Sequence, residues 1–296
     1  MARIKRAVPQ GDQREAREAG QKRLSRSSGG GIYRLKSLWA SNGERLRMTN
    51  RRKLIAGNWK MNGLKAQLAE VAAIEALAAG RDDIDVALFV PSTLIAAAAP
   101  LAKAAKIGAQ DCHQAESGAY TGNVSAAMLV EAGAFATLVG HSERRSYQHE
   151  SDADVAAKAA QAHKHGLHVI LCVGETLDTR EQGDDVAHSF VAEQLIASLP
   201  EGADASWLVI AYEPVWAIGT GKVATPPQVA AMHAALRAAL IKALGEETGN
   251  AMRILYGGSV SGDNAADILH TDNVDGALVG GASLTAAKFA PIIEAA

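Results

Sequence analysis

The 296-residue chain is 48% hydrophobic and 21% charged with a formal net charge of −2, a profile of a globular protein large enough for one big domain or two small ones. No apolar run approaches the roughly 18 residues that cross a bilayer, which argues against a membrane span. The two cysteines, Cys112 and Cys172, are too few for a disulfide framework and lack metal-ligand spacing, so a reducing cytoplasm is expected.

Charge divides the chain in two. Residues 1–48 carry 12 Lys+Arg against 4 Asp+Glu, a balance of +8, and the remainder carries 18 against 28, a balance of −10. An acidic body of this kind does not read as a nucleic-acid binder. Residues 1–47 show no sustained period and contain "SRSSGGG", so residues 1–48 are expected to form a disordered basic extension and 49–296 the folded domain. Three origins fit the extension: a start assigned upstream of Met48, a targeting segment, or a basic arm for an acidic partner. Asp12, Glu15 and Glu18 argue against the second.

From Lys53 the chain alternates short apolar runs with Ala-rich segments. The runs are "KLIAGN", "DVALFV", "KIGAQ", "FATLVG", "HVILCVG", "WLVIAYE", "RILYGG" and "GALVGG". Helical spacing is expected at Leu64–Ala79, Ser151–His165, Val186–Leu199 and Pro226–Leu244. Near-continuous apolar strands suit a sheet covered on both faces, and repeated βα units imply a parallel one. Eight such units in about 250 residues predict a closed (β/α)₈ barrel. The open doubly wound alternative lacks a G-x-G-x-x-G after the first strand.

In such a barrel the chemistry sits at the carboxyl ends of the strands. There the chain places Asn58 and Lys60 after the first run, His141, Ser142 and Glu143 after the fourth, Glu213 after the sixth, and Gly257-Gly258-Ser259 and Gly280-Gly281 after the last two. Taken singly, Lys60 is ordinarily a solvated charge, His141 a structural histidine and each glycine a turn. Together they supply a base, a neutral acid–base ring, a cation and Gly-rich turns whose N–H groups can bind an anion. "GTGK" at 219–222 is not a nucleotide P-loop: Trp216 stands where its first Gly is required, and Val223 follows the Lys.

"AGNWKMNG", "VGHSERR", "YEPVWAIGTGKVATPPQ", "YGGSV" and "LVGGASL" occur in that order. On these motifs the chain resembles the triosephosphate isomerase family over Arg52–Ala296. The resemblance implies a homodimeric cytoplasmic enzyme of glycolysis and gluconeogenesis that needs neither cofactor nor metal. It implies Glu213 as general base, His141 as neutral electrophile, Lys60 as the cation beside phosphate and enediolate, and Asn58 as a substrate-positioning group. Ser142 and Glu143 would orient these groups, while Gly219, Ser259, Gly280 and Gly281 would present N–H groups to the phosphate. Pro214–Trp216 and Lys222–Ala224 read as hinges of a lid with an apolar tip, Ala217–Gly221, and Ile218 with Leu278 would close the dry side of the base.

The family inserts a loop, here Asp111–Val124, into its dimer partner. It carries in that loop an acidic residue that pairs with an arginine at the position of Arg144; this chain has Asn123, which puts the loop's stiffness in doubt. The "NVS" at 123–125 reads as a chance sequon, and His163, His165 and His168 as a solvated helix end. Two other readings stay open: an isomerase of a four-carbon ketose phosphate, and a non-catalytic barrel that binds a sugar phosphate.

Overall fold

The computed structural model describes residues 51–217 and 224–296. Eight strands lie in chain order: β1 (Leu54–Asn58), β2 (Asp85–Val90), β3 (Lys106–Ala109), β4 (Ala136–Val139), β5 (His168–Val173), β6 (Leu208–Tyr212), β7 (Arg253–Tyr256) and β8 (Gly276–Val279). All neighbours pair in parallel, and β8 returns to β1 to close the barrel. The expected (β/α)₈ barrel is therefore the fold. Nearly every strand residue is buried, because side chains of one parity fill the barrel and those of the other lie under helices.

The eleven α-helices among the described residues are α1 (Leu68–Ala78), α2 (Ser92–Ala98), α3 (Ala126–Glu131), α4 (Ser142–Tyr147), α5 (Asp152–Lys164), α6 (Leu177–Arg180), α7 (Asp184–Ser198), α8 (Pro226–Leu244), α9 (Glu246–Ala251), α10 (Ala265–Leu269) and α11 (Ala286–Glu294). The expected Leu64–Ala79 helix opens with a 3₁₀ turn, Lys65–Gln67, before α1. The Ser151 side chain caps α5, accepting from the Asp154 N–H while the Asp154 carboxylate accepts from the Ser151 N–H, the reciprocal arrangement that fixes a helix start. α8 keeps its expected bounds, with Pro at its first position, where a missing N–H costs nothing. Short helices such as α2, α3 and α10 were not expected, since five to seven residues hold too little periodicity to detect.

One expectation is corrected. His168 does not belong to a solvated helix end: it opens β5 and stacks on Phe135 with centroids 4.4 Å apart, whereas His163 is exposed in the last turn of α5 with one ring face on Trp207 at 3.9 Å. Burial, helped by Arg253, lowers the His168 pKa to about 4. No helix among the described residues is long and apolar enough to cross a membrane.

Candidate active site

Asn58 ends β1 and is buried. Two residues later Lys60 takes a positive φ of 51°, a left-handed conformation that disfavours any residue with a Cβ. Its N–H donates to Asn58 Oδ1 at 2.9 Å, so the asparagine side chain shapes the turn that presents the lysine. The turn is anchored by Trp59, whose indole Nε1 donates to the Ser283 carbonyl at 3.0 Å. The Lys60 ammonium lies 2.6 Å from Glu143 Oε1.

His141 is the N-cap of α4. Its Nδ1 accepts the Glu143 N–H at 3.2 Å, which leaves the ring proton on Nε2, 2.9 Å from Glu213 Oε1. The Glu213 carboxylate also accepts the Ser142 N–H at 2.9 Å and faces Ser142 Oγ at 3.3 Å. Its backbone continues the sheet, with the Glu213 N–H donating to the Val173 carbonyl at 2.7 Å. Gly174 makes that approach possible, for a Cβ there would stand 1.8 Å from the Glu213 carbonyl oxygen. Glu213 is thus carried on a rigid strand end, 2% exposed.

Burial raises the Glu213 pKa, but His141 and the Ser142 N–H oppose it, and the net direction is below the ordinary carboxylate value. Burial lowers the His141 pKa, while contact with the Glu213 carboxylate raises it to a net value above the usual imidazole range. That upward pull belongs to the carboxylate resting on the ring. Once Glu213 turns elsewhere, burial and the N–H donated to Nδ1 both favour the neutral ring.

Asn58, Lys60, His141, Glu213, Ser259, Leu278, Gly280 and Gly281 line one cavity of about 400 Å³. Gly281 starts a 3₁₀ turn after β8, and a Cβ at this position would meet only open space. Of the residues singled out from sequence, these converge here together with Gly257 and Gly258, with Ser142 and Glu143 directly behind them. Ile218 and Gly219, like the expected hinge residues Lys222 and Val223, lie outside the described residues. Both described flanks of that segment are anchored. On one side Trp216 Nε1 and Tyr212 OH donate to Glu175 Oε1 at 2.8 and 3.0 Å; on the other the Thr225 N–H donates to Gln228 Oε1 at 3.0 Å. No cluster of His, Cys, Asp and Glu suited to a metal occurs among the described residues.

The Arg144 guanidinium is held by Asp111 at 2.9 Å and Glu150 at 2.5 Å, so Asn123 does not leave it without a carboxylate. The Asp111–Val124 loop is closed at its neck, where the His113 N–H donates to the Val124 carbonyl at 2.9 Å, and the Tyr120 ring packs at a tilt against the His113 ring, centroids 4.1 Å apart. Gly174 and Gln110 escaped the sequence reading. Gln110 directly follows β3, so its position at a strand's carboxyl end was the available signal.

The family model for triosephosphate isomerase matches residues 53–296. The chain is 52% identical over 249 residues to triosephosphate isomerase of Ruegeria pomeroyi, covering 83% of this chain and 97% of that protein. It is 52% identical over 253 residues to the same enzyme of Xanthobacter autotrophicus, covering 83% and 97%. The crystal structure of triosephosphate isomerase from Bartonella henselae superposes with a TM-score of 0.77 at 43% identity, covering 82% of this chain and 98% of that one.

Proposed function

The chain belongs to the triosephosphate isomerase family, and we propose on that premise that it interconverts dihydroxyacetone phosphate and D-glyceraldehyde 3-phosphate. The observation that carries the reading is a buried carboxylate, a histidine Nε2 and a lysine ammonium around one cavity with Gly-rich turns on its far wall. Glu213 leaves Ser142 and takes a proton from the hydroxymethyl carbon beside the substrate carbonyl. Electrons move into the carbonyl oxygen, giving an enediolate whose charge is met by His141 Nε2–H and the Lys60 ammonium. Glu213 then returns the proton to the neighbouring carbon while His141 redistributes protons between the two oxygens. The proton taken from one carbon is returned to its neighbour and no electrons leave the substrate, so the step needs no redox cofactor.

Asn58 orients the substrate oxygens, and the backbone at Gly219, Ser259, Gly280 and Gly281 receives the phosphate. The lid segment, with the apolar Ile218 in its sequence, and Leu278 on the cavity wall keep water from an intermediate that would otherwise eliminate its phosphate. The working unit is a homodimer joined through the Asp111–Val124 loop. Support comes from Met61, 97% exposed on the turn after β1, beside a cavity of about 310 Å³ shared by that turn and the loop. In this reading the enzyme serves glycolysis and gluconeogenesis in the cytoplasm, and residues 1–48 take no part in catalysis.

A coupled assay with glyceraldehyde 3-phosphate and a four-carbon ketose phosphate side by side tests the proposal. Fast turnover of the triose with the tetrose far slower is expected. Preference for the tetrose would transfer the same residues to another sugar phosphate, and a folded protein silent on both would leave only a binding barrel.

A further inference from the structure

Lys60 occupies a positive-φ backbone conformation that is unfavourable for a non-glycine residue and persists only where the surroundings over-determine it. Asn58 satisfies its N–H. Its carbonyl is satisfied from another strand: Gln110 Nε2 donates to the Lys60 carbonyl at 2.8 Å and to the Phe89 carbonyl at 3.0 Å. Phe89 is the β2 partner of Asn58, and its carbonyl also accepts the Trp59 N–H at 3.0 Å. One amide at the end of β3 therefore spans β2 and reaches the Lys60 turn. The next residue, Asp111, holds Arg144 at 2.9 Å, and Arg144 follows Glu143, whose carboxylate lies 2.6 Å from the Lys60 ammonium.

We propose that Gln110 is a positioning residue for Lys60, with its side-chain amide holding the left-handed turn that aims the ammonium into the site. The inference rests on the proposed role of Lys60 as the cation of the substrate site. If the 60–61 peptide is freed, φ relaxes toward negative values and the Cα–Cβ bond swings away. The ammonium, 28% exposed on its side chain, would then rest against Glu143 in a different place or in solvent. Gln110 touches no reacting atom; its effect is carried through Lys60. The alternative is a purely structural amide that quiets two buried carbonyls, and the two roles part in a double-mutant cycle.

The experiment measures kcat and KM for glyceraldehyde 3-phosphate, with melting curves, in the full chain and its Gln110→Met, Lys60→Ala and doubly substituted forms. Gln110→Met is expected to lower kcat/KM roughly ten- to a hundredfold, the scale of an ångström-sized misplacement. In the Lys60→Ala background the same change should alter kcat/KM by less than about twofold. An equal loss in both backgrounds, or no loss in the wild-type one, would overturn the proposal. If Gln110→Met does not fold, the isosteric Gln110→Glu takes its place in the cycle. Should Lys60→Ala itself keep wild-type kcat/KM, the functional reading of Lys60 fails first and the inference falls with it. Loss at Lys60→Ala with additive Gln110 effects sinks the inference alone.

Discussion

The two ends of the barrel use the same chemistry to opposite ends. At the amino-terminal floor, Asp275 accepts from Arg51 at 2.7 Å, from Arg237 at 2.9 Å and from the Ile254 N–H at 2.9 Å. Arg237 also donates to the Gly249 and Met252 carbonyls, and Arg253 pairs with Asp85 at 2.7 Å. At the carboxyl-terminal mouth, Glu213 is as deeply buried and also has N–H and O–H groups beside it, yet it borders a 400 Å³ cavity. Floor charges are locked between strands and helices, whereas each mouth charge has one face turned to open space. A buried ion pair with all its partners is structural; a buried charge with a vacant side is available for work.

That contrast breaks cleanly if substitutions at either end act alike. Glu213→Gln should lower kcat by at least about 10²–10⁴ while the melting temperature stays near that of the parent, and a variant that keeps its turnover would place the base elsewhere. Asp275→Asn should do the reverse. Leaving the buried Arg237 and the half-buried Arg51 short of a carboxylate costs about 3–5 kcal/mol in urea unfolding, with kcat of the folded fraction unchanged; a catalytic defect larger than the stability loss would refute the division.

Acid sharpens the same comparison. His233 is fully buried beside Tyr212, its Nδ1 is 2.9 Å from the Asn273 carbonyl, and burial, aided by Arg237, lowers its pKa to about 4. The unfolded chain takes up a proton near 6.5 that the folded chain refuses until about 4, so this stability is complete above 6.5 and is lost as pH falls through that window. The loss amounts to about 3 kcal/mol at most. His168 should act in the same direction. Unfolding free energies at pH 7 and pH 4.5 measure the slope, and His233→Gln should flatten it; an unchanged slope would show that other groups carry it. The smallest effect is expected from removing residues 2–47, which precede the segment matched by the family model. Turnover should be unaltered and unfolding shifted by less than about 0.5 kcal/mol, and a larger change in either would mean that the extension docks on the barrel.

The eight strands and the larger helices were legible because apolar run length and helical spacing are properties of neighbouring residues. Asn58, Lys60, His141 and Glu213 were legible because strand ends announce themselves and because five motifs fall there in order. Tertiary structure alone decided the rest. Gln110 reaches Lys60 across 50 residues of chain, and Trp59 reaches Ser283 across 224; no local period encodes such distances. Asp111 and Glu150 were not expected to hold Arg144, and His168 reads locally as part of a helix end although it opens β5 against Phe135. Whether Gly174 is a turn or a close contact depends on β6 lying alongside β5. The sequence by itself determined the strand–helix alternation and the chemical groups at its ends. Closure of the sheet decided which of those groups touch, because only packing brings distant segments close enough for a hydrogen bond to choose between them.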